Sequence, residues 1–179
     1  MLNKKEIVSK FRDTKMMTLG EIVRYNDRQK ITKETVAEHI FYVAANVIKL
    51  CDILRVGYEI KCEALEMAIS HDIPEIFTGD IGYITKRDNP ELAKALEKTE
   101  LEQLKKNMPE FYESFKDYTE GLKNREIPSL IVKIADVLSV LQYSDYEIEL
   151  GNWSSSMETI NEDALSRVLS LLDELSLKI

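Results

Sequence analysis

The sequence predicts an all-α protein, and three observations carry that expectation. Its 179 residues include only six glycines and four prolines, so helix breakers are sparse. Apolar residues recur at three- and four-residue spacing along most of the chain. No segment of period two is long enough to build a sheet.

Each element follows from local pattern. Residues 4–15 carry Ile7, Val8 and Phe11 on one side, a short amphipathic helix. Residues 18–23 make a second short turn, and 24–28 (Arg-Tyr-Asn-Asp-Arg) are polar and irregular. Thr35 reads as an N-cap with Glu38 as its capping-box partner. The helix behind it runs through Val36, Ile40, Val43, Ala44, Val47, Leu50, Cys51 and Leu54 towards Gly57. Residues 59–70 form the next helix, with Leu65, Ala68 and Ile69 inward. Residues 76–88, punctuated by Gly79 and Gly82, read as loop. A highly charged helix over 90–107 carries a thin stripe of Leu92, Leu96 and Leu104 and an i,i+4 pair, Glu102–Lys106. Pro109 opens a helix to about Leu122, whose Phe111, Tyr112, Phe115 and Tyr118 suit packing better than base stacking. Pro128 opens a long helix that stops at Gly151-Asn152. The last helix covers 161–177 with Leu165, Val168, Leu169, Leu172 and Leu175.

Composition narrows the class. Thirty-two acidic against 24 basic residues give a net charge of −8. Without clustered cations such a chain is a poor match for duplex DNA, and no nucleic-acid polymer is expected as partner. Apolar residues make up 44 %, enough for a buried core and too many for general disorder. The length fits one domain over 1–179. The N-terminal 15 residues lack a signal-peptide apolar stretch, and no segment is expected to span a bilayer. Cys51 and Cys62 sit in helical patterns with no CxxC, so they read as thiols of a reducing, cytoplasmic compartment.

The chemistry gathers around the only two histidines. His39 follows Glu38, and His71 precedes Asp72. A third acid, Asp136, interrupts an apolar helix whose only other charge nearby is Lys133. Imidazole and carboxylate together are the mixed donor set of hydrolytic divalent-metal sites. Neighbouring helical residues point about 100° apart, so His71 and Asp72 reach one ion only where a helix ends, and Ile73-Pro74 supplies that end. Each piece also has an ordinary explanation. His39 alone suits a satisfied core histidine. Asp72-Ile73-Pro74-Glu75 is a respectable capping box. Asp136, Lys133 and Ser129 suit a solvated polar stripe with an i,i+3 ion pair. Their joint order, His, His-Asp, Asp on successive helices, favours the metal.

That order resembles the HD-domain metal-dependent phosphohydrolases. The strings Thr35-Val36-Ala37-Glu38-His39, His71-Asp72-Ile73-Pro74-Glu75-Ile76-Phe77-Thr78-Gly79-Asp80 and Lys133-Ile134-Ala135-Asp136, with Gly151-Asn152 beyond, are similar to the YfbR-type 5′-deoxynucleotidases over roughly residues 11–152. The resemblance implies a helical bundle around one divalent transition metal (Mn, Fe, Co, Ni or Zn) held by His39, His71, Asp72 and Asp136. It implies Glu75 as proton acceptor from the attacking water and Asp80 as donor to the departing sugar hydroxyl. Arg24 and Lys86 would contact phosphate. Tyr25 would lie against the sugar, at the place where a nucleotidase of this type carries a tryptophan taken to crowd the ribose 2′ position. Ile81-Gly82-Tyr83-Ile84-Thr85 replaces a proline-rich stretch of the family. For Asp80 a turn role, and for Arg24 and Lys86 ordinary surface charge, are the competing explanations.

The implied activity is a phosphomonoesterase acting on (deoxy)nucleoside 5′-monophosphates. The alternatives are a hydrolase of another small phosphate ester or pyrophosphate, and a metal- or nucleotide-binding module without turnover that uses the acidic helices 90–107 and 163–177 for partners. The resemblance also implies a homodimer, with the last helix and Trp153 as a candidate contact.

Overall fold

The computed structural model describes residues 3–121 and 125–179. Among them lie nine α-helices: α1 (Lys4–Lys10), α2 (Val36–Leu54), α3 (Tyr58–Ser70), α4 (Glu75–Thr78), α5 (Tyr83–Asp88), α6 (Pro90–Asn107), α7 (Tyr112–Glu120), α8 (Glu126–Glu149) and α9 (Ser155–Ser176). Two 3-10 turns, Lys15–Gly20 and Pro109–Phe111, complete the regular structure. The all-α expectation holds: the β pairing among the described residues is one isolated antiparallel bridge, Val23 to Thr35.

The core is built on α8, which packs against α2, α3 and α9. Val43, Val47, Leu50 and Cys51 of α2 meet Ala64, Met67 and Ala68 of α3 and Leu130, Ile131, Ile134 and Ala135 of α8. The α2 residues recur every three or four positions, one apolar face of a 3.6-residue helix. Val168 and Ala164 of α9 close over Val137 on the other side of α8. A smaller cluster of Leu19, Val36, Ile73, Leu104, Met108 and Phe115 ties α6 and α7 to the start of α2.

Several expectations need correction. By length and composition α8 could cross a membrane, contrary to the expectation that no segment could, yet most of its apolar stretch is buried among its neighbours. Residues 76–88 are not all loop: α4 and α5 flank the turn that Gly79 makes at φ +74°, a backbone conformation glycine adopts without strain. These helices are too short to show a period and are held by packing on α6. Ile69 points outward, as do Leu165 and Leu169. α9 begins at Ser155, six residues before the expected start, and α1 ends at Lys10. The side chains of Ile7 and Val8 in α1, and of Phe11 at its C-cap, are not covered. Glu102 and Lys106 do not pair among the described ion pairs, whereas Lys116–Glu120 does. Pro128 stands at the third position of α8, where its missing N–H still removes no helical hydrogen bond. Of the helix expected to reach Leu122, the part to Glu120 is observed, and Leu122 lies outside the described residues.

Candidate functional site

The first histidine is set by a helix cap. Thr35 Oγ1 accepts from Glu38 N–H at 3.3 Å, and Glu38 Oε2 accepts from Thr35 N–H at 2.7 Å, the reciprocal capping box. Glu38 is thereby engaged outside the site. His39 follows in the first turn of α2 on its apolar face and is fully buried. Its Nδ1 lies 3.2 Å from Ser139 Oγ. His71 caps the C-terminal end of α3, and its Nδ1 donates to the Ala68 carbonyl at 2.7 Å. Because a carbonyl only accepts, that bond puts the proton on Nδ1 and leaves the Nε2 lone pair free.

The two Nε2 atoms face each other at 3.4 Å. Asp72 Oδ2 lies 3.4 Å from His39 Nε2 and 3.3 Å from His71 Nε2. Asp136 Oδ1 lies 3.1 Å from His39 Nε2. The chain thus brings together all four residues of the expected ligand set. His39, His71 and Asp72 each offer a donor atom within 4.8 Å of the others, and Asp136 joins them through His39. This donor set fits a divalent cation, since converging lone pairs and carboxylates at such spacing repel without a positive charge among them. Burial drives His39 down to about 4, with the Arg24 charge adding to the effect. Burial opposes ionisation of Asp72 and Asp136, but the imidazoles outweigh it and hold both below the usual carboxylate range. The solvated stripe proposed for Asp136 is not what the chain forms. Ser129 is buried and donates to the Tyr118 carbonyl at 3.2 Å, and Lys133 makes no ion pair with Asp136 among the described residues.

A cleft of about 710 Å³ opens above these donors. Glu75 enters from α4. It is buried, and its Oε2 has no hydrogen-bond partner. Burial, together with the charges of Asp72 and Asp80, pushes it well above the ordinary range. Asp80, delivered by the Gly79 turn, also lines the cleft and is raised, chiefly by burial. Lys86 reaches the same space from α5.

Arg24 and Tyr25 also line the cleft. Arg24 is no ordinary surface charge: its side chain is 12 % exposed and its Nη1 donates to Glu34 Oε2 at 2.9 Å. Tyr25 has φ +56°, rare for a bulky residue, and its ring stacks on Tyr143 with centroids 4.6 Å apart. Its hydroxyl is buried without a partner.

Several contributors escape sequence reasoning. Asp136, Ser139, Tyr143 and Glu147 are spaced by three, four and four residues, one face of α8. Ser139 meets His39, and Tyr143 stacks under Tyr25. Glu147 accepts from Ile31 N–H at 2.7 Å, from Thr32 N–H at 2.6 Å and from Asn152 Nδ2 at 2.8 Å. Their periodicity from Asp136 was the available signal. Glu34 had none, because its contact with Arg24 arises from the Val23–Thr35 bridge. At the far end Arg167 of α9 lies 4.0 Å over the Tyr83 ring of α5. Tyr118 packs its edge against His71 at 5.8 Å, so the α7 aromatics pack as expected while Phe115 and Tyr118 also line the cleft.

Comparison with known proteins gives concordant matches. The family model described as 5′-deoxynucleotidase YfbR-like matches residues 13–176. A 5′-deoxynucleotidase of Vibrio vulnificus is 31 % identical over 138 residues, covering 73 % of this chain and 71 % of that protein. A dATP triphosphohydrolase of Acinetobacter phage SH-Ab 15497 is 30 % identical, covering 68 % of this chain and 63 % of that protein. The HD phosphohydrolase DatZ of cyanophage S-2L, solved with dA and one catalytic zinc ion, shares the fold with a TM-score of 0.73 at 19 % identity, covering 93 % of each chain.

Proposed function

We propose a reaction for this site on one premise: the chain belongs to the 5′-deoxynucleotidase YfbR-like family, an HD-domain hydrolase with a divalent metal centre. The proposed reaction is hydrolysis of (deoxy)nucleoside 5′-monophosphates to nucleoside and phosphate by residues 1–179 as one catalytic domain. The observation that carries it is the pair of facing imidazole nitrogens, 3.4 Å apart and flanked by Asp72 and Asp136, beneath an unpartnered Glu75 carboxylate.

His39, His71, Asp72 and Asp136 would hold one divalent ion. Such an ion supplies acidified water and a polarised phosphoryl oxygen. The donor set suits Mn, Fe, Co, Ni or Zn. Glu75 takes the proton of the attacking water: its buried Oε2 has no hydrogen-bond partner and is free to accept one. Asp80, which lines the same cleft, donates to the departing 5′-oxygen. Arg24 and Lys86, which both line the cleft, bind the phosphate. Tyr25, fixed on Tyr143, sets the wall against the sugar. Chemically the site serves a small-molecule nucleotide, not a polymer. The free cysteines accord with a cytoplasmic setting. Exposed Trp153, Leu165 and Leu169 accord with a homodimer contact.

The test is phosphate release from dAMP or dTMP by Mn-loaded protein. The wild type turns over, and Asp72→Ala and Glu75→Ala lose activity by at least about 100-fold. Full activity in either variant overturns the assignment. A substrate panel containing AMP, dATP and pyrophosphate decides between monoesters and the alternative phosphate compounds.

A further inference from the structure

We propose that Glu34 is the positioning residue for the phosphate-binding arginine: its carboxylate tethers one edge of Arg24 and leaves the other edge for the phosphate. The inference rests on the reading of Arg24 as a phosphate contact.

Arg24 stands in a field that would misplace it. Asp72 and Asp136 act on its guanidinium, and its charge in turn reaches Glu75 and Asp80. An untethered arginine beside such carboxylates forks onto one of them through two parallel bonds, removing it from the metal set. The observed contact is different. Nη1 alone donates to Glu34 Oε2 at 2.9 Å, and it is the guanidinium's one described hydrogen bond. Nη2 and Nε therefore keep their donors for a ligand in the cleft that Arg24 lines.

The backbone holds the tether in register. Arg24 N–H donates to the Glu34 carbonyl at 2.9 Å, and Val36 N–H to Ile22 at 3.0 Å. Lys30 Nζ donates to the Arg24 carbonyl at 2.7 Å. Glu34 directly precedes the Thr35 cap of α2 and stands five residues before His39. The arginine is thus indexed to the helix that bears the first imidazole. Glu34 is 3 % exposed, where an ion pair is weakly screened. Burying so polar a group beside a cleft is costly unless its partner requires it.

The test is a double-mutant cycle read by calorimetric titration of the Mn-loaded protein with inorganic phosphate. Glu34→Gln weakens phosphate binding about tenfold, leaves manganese affinity unchanged, and raises KM more than it lowers kcat. In an Arg24→Ala background the same change has no further effect on phosphate. Glu34→Asp, which keeps the charge, recovers part of the loss and guards against a folding defect. The inference is overturned if Glu34→Gln binds phosphate like wild type, if its loss is undiminished without Arg24, or if the wild type binds no phosphate. Failure of the wild type to hydrolyse nucleotides overturns only the monophosphatase reading, since the titration does not depend on turnover.

Discussion

At the scale of single residues, the site depends on which nitrogen of each imidazole is free. His71 is settled by the Ala68 carbonyl, which occupies Nδ1. His39 has its Nδ1 occupied by Ser139 Oγ, one turn beyond Asp136 on α8, and turns its Nε2 to Asp72 and Asp136. Partners of this kind orient a ligating ring and raise its basicity, and losing one typically costs about 10- to 100-fold in metal affinity. Ser139→Ala therefore weakens manganese binding by about tenfold, measured by competition with a chelator, and unchanged affinity would contradict the role. How much of this was legible differs by residue. The ligand set could be read because histidine is scarce and each one adjoins an acid. Glu34 and Tyr143 could not, because they reach Arg24 and Tyr25 through chain reversals that leave no period behind.

At the scale of elements, caps and long amphipathic faces were readable and short helices were not. The Thr35–Glu38 box starts α2 where its residues say it must, and Pro90 opens α6. α4 and α5 have four and six residues, too few for nucleation without tertiary support, so local pattern reads them as loop. The early start of α9 escaped because Ser154 caps it without a side-chain hydrogen bond. Since the capping box stands four residues from His39, its loss tests element stability apart from chemistry. Thr35→Ala lowers unfolding free energy by about 1 kcal/mol in denaturant titration. A change below about 0.3 kcal/mol would show that the tertiary contacts of α2 override its cap.

At the scale of the whole molecule, α8 is the organiser. It buries one face against α2 and α3 and carries Asp136, Ser139, Tyr143 and Glu147 along another. Glu147 ties α8 to residues 31 and 32 and so closes the chain behind Arg24 and Tyr25. Burial opposes its charge, but bonds from Thr32, Ile31 and Asn152 outweigh burial and hold it down at about 2. A carboxyl depressed in the folded state contributes stability above its unfolded pKa and loses it as pH falls through the folded value. The contribution, about 2–3 kcal/mol, is full above about pH 5 and fades towards pH 2. Glu147→Gln should flatten acid unfolding in that window, and an unaltered pH profile would contradict the assignment.

The central claim is that four side chains spread from position 39 to position 136 share one cation. Anomalous diffraction from a manganese-soaked crystal tests it most directly. The account predicts a single strong peak enclosed by the Nε2 atoms of His39 and His71 and the carboxylates of Asp72 and Asp136. No peak there, or a peak that leaves either histidine unligated, would contradict it.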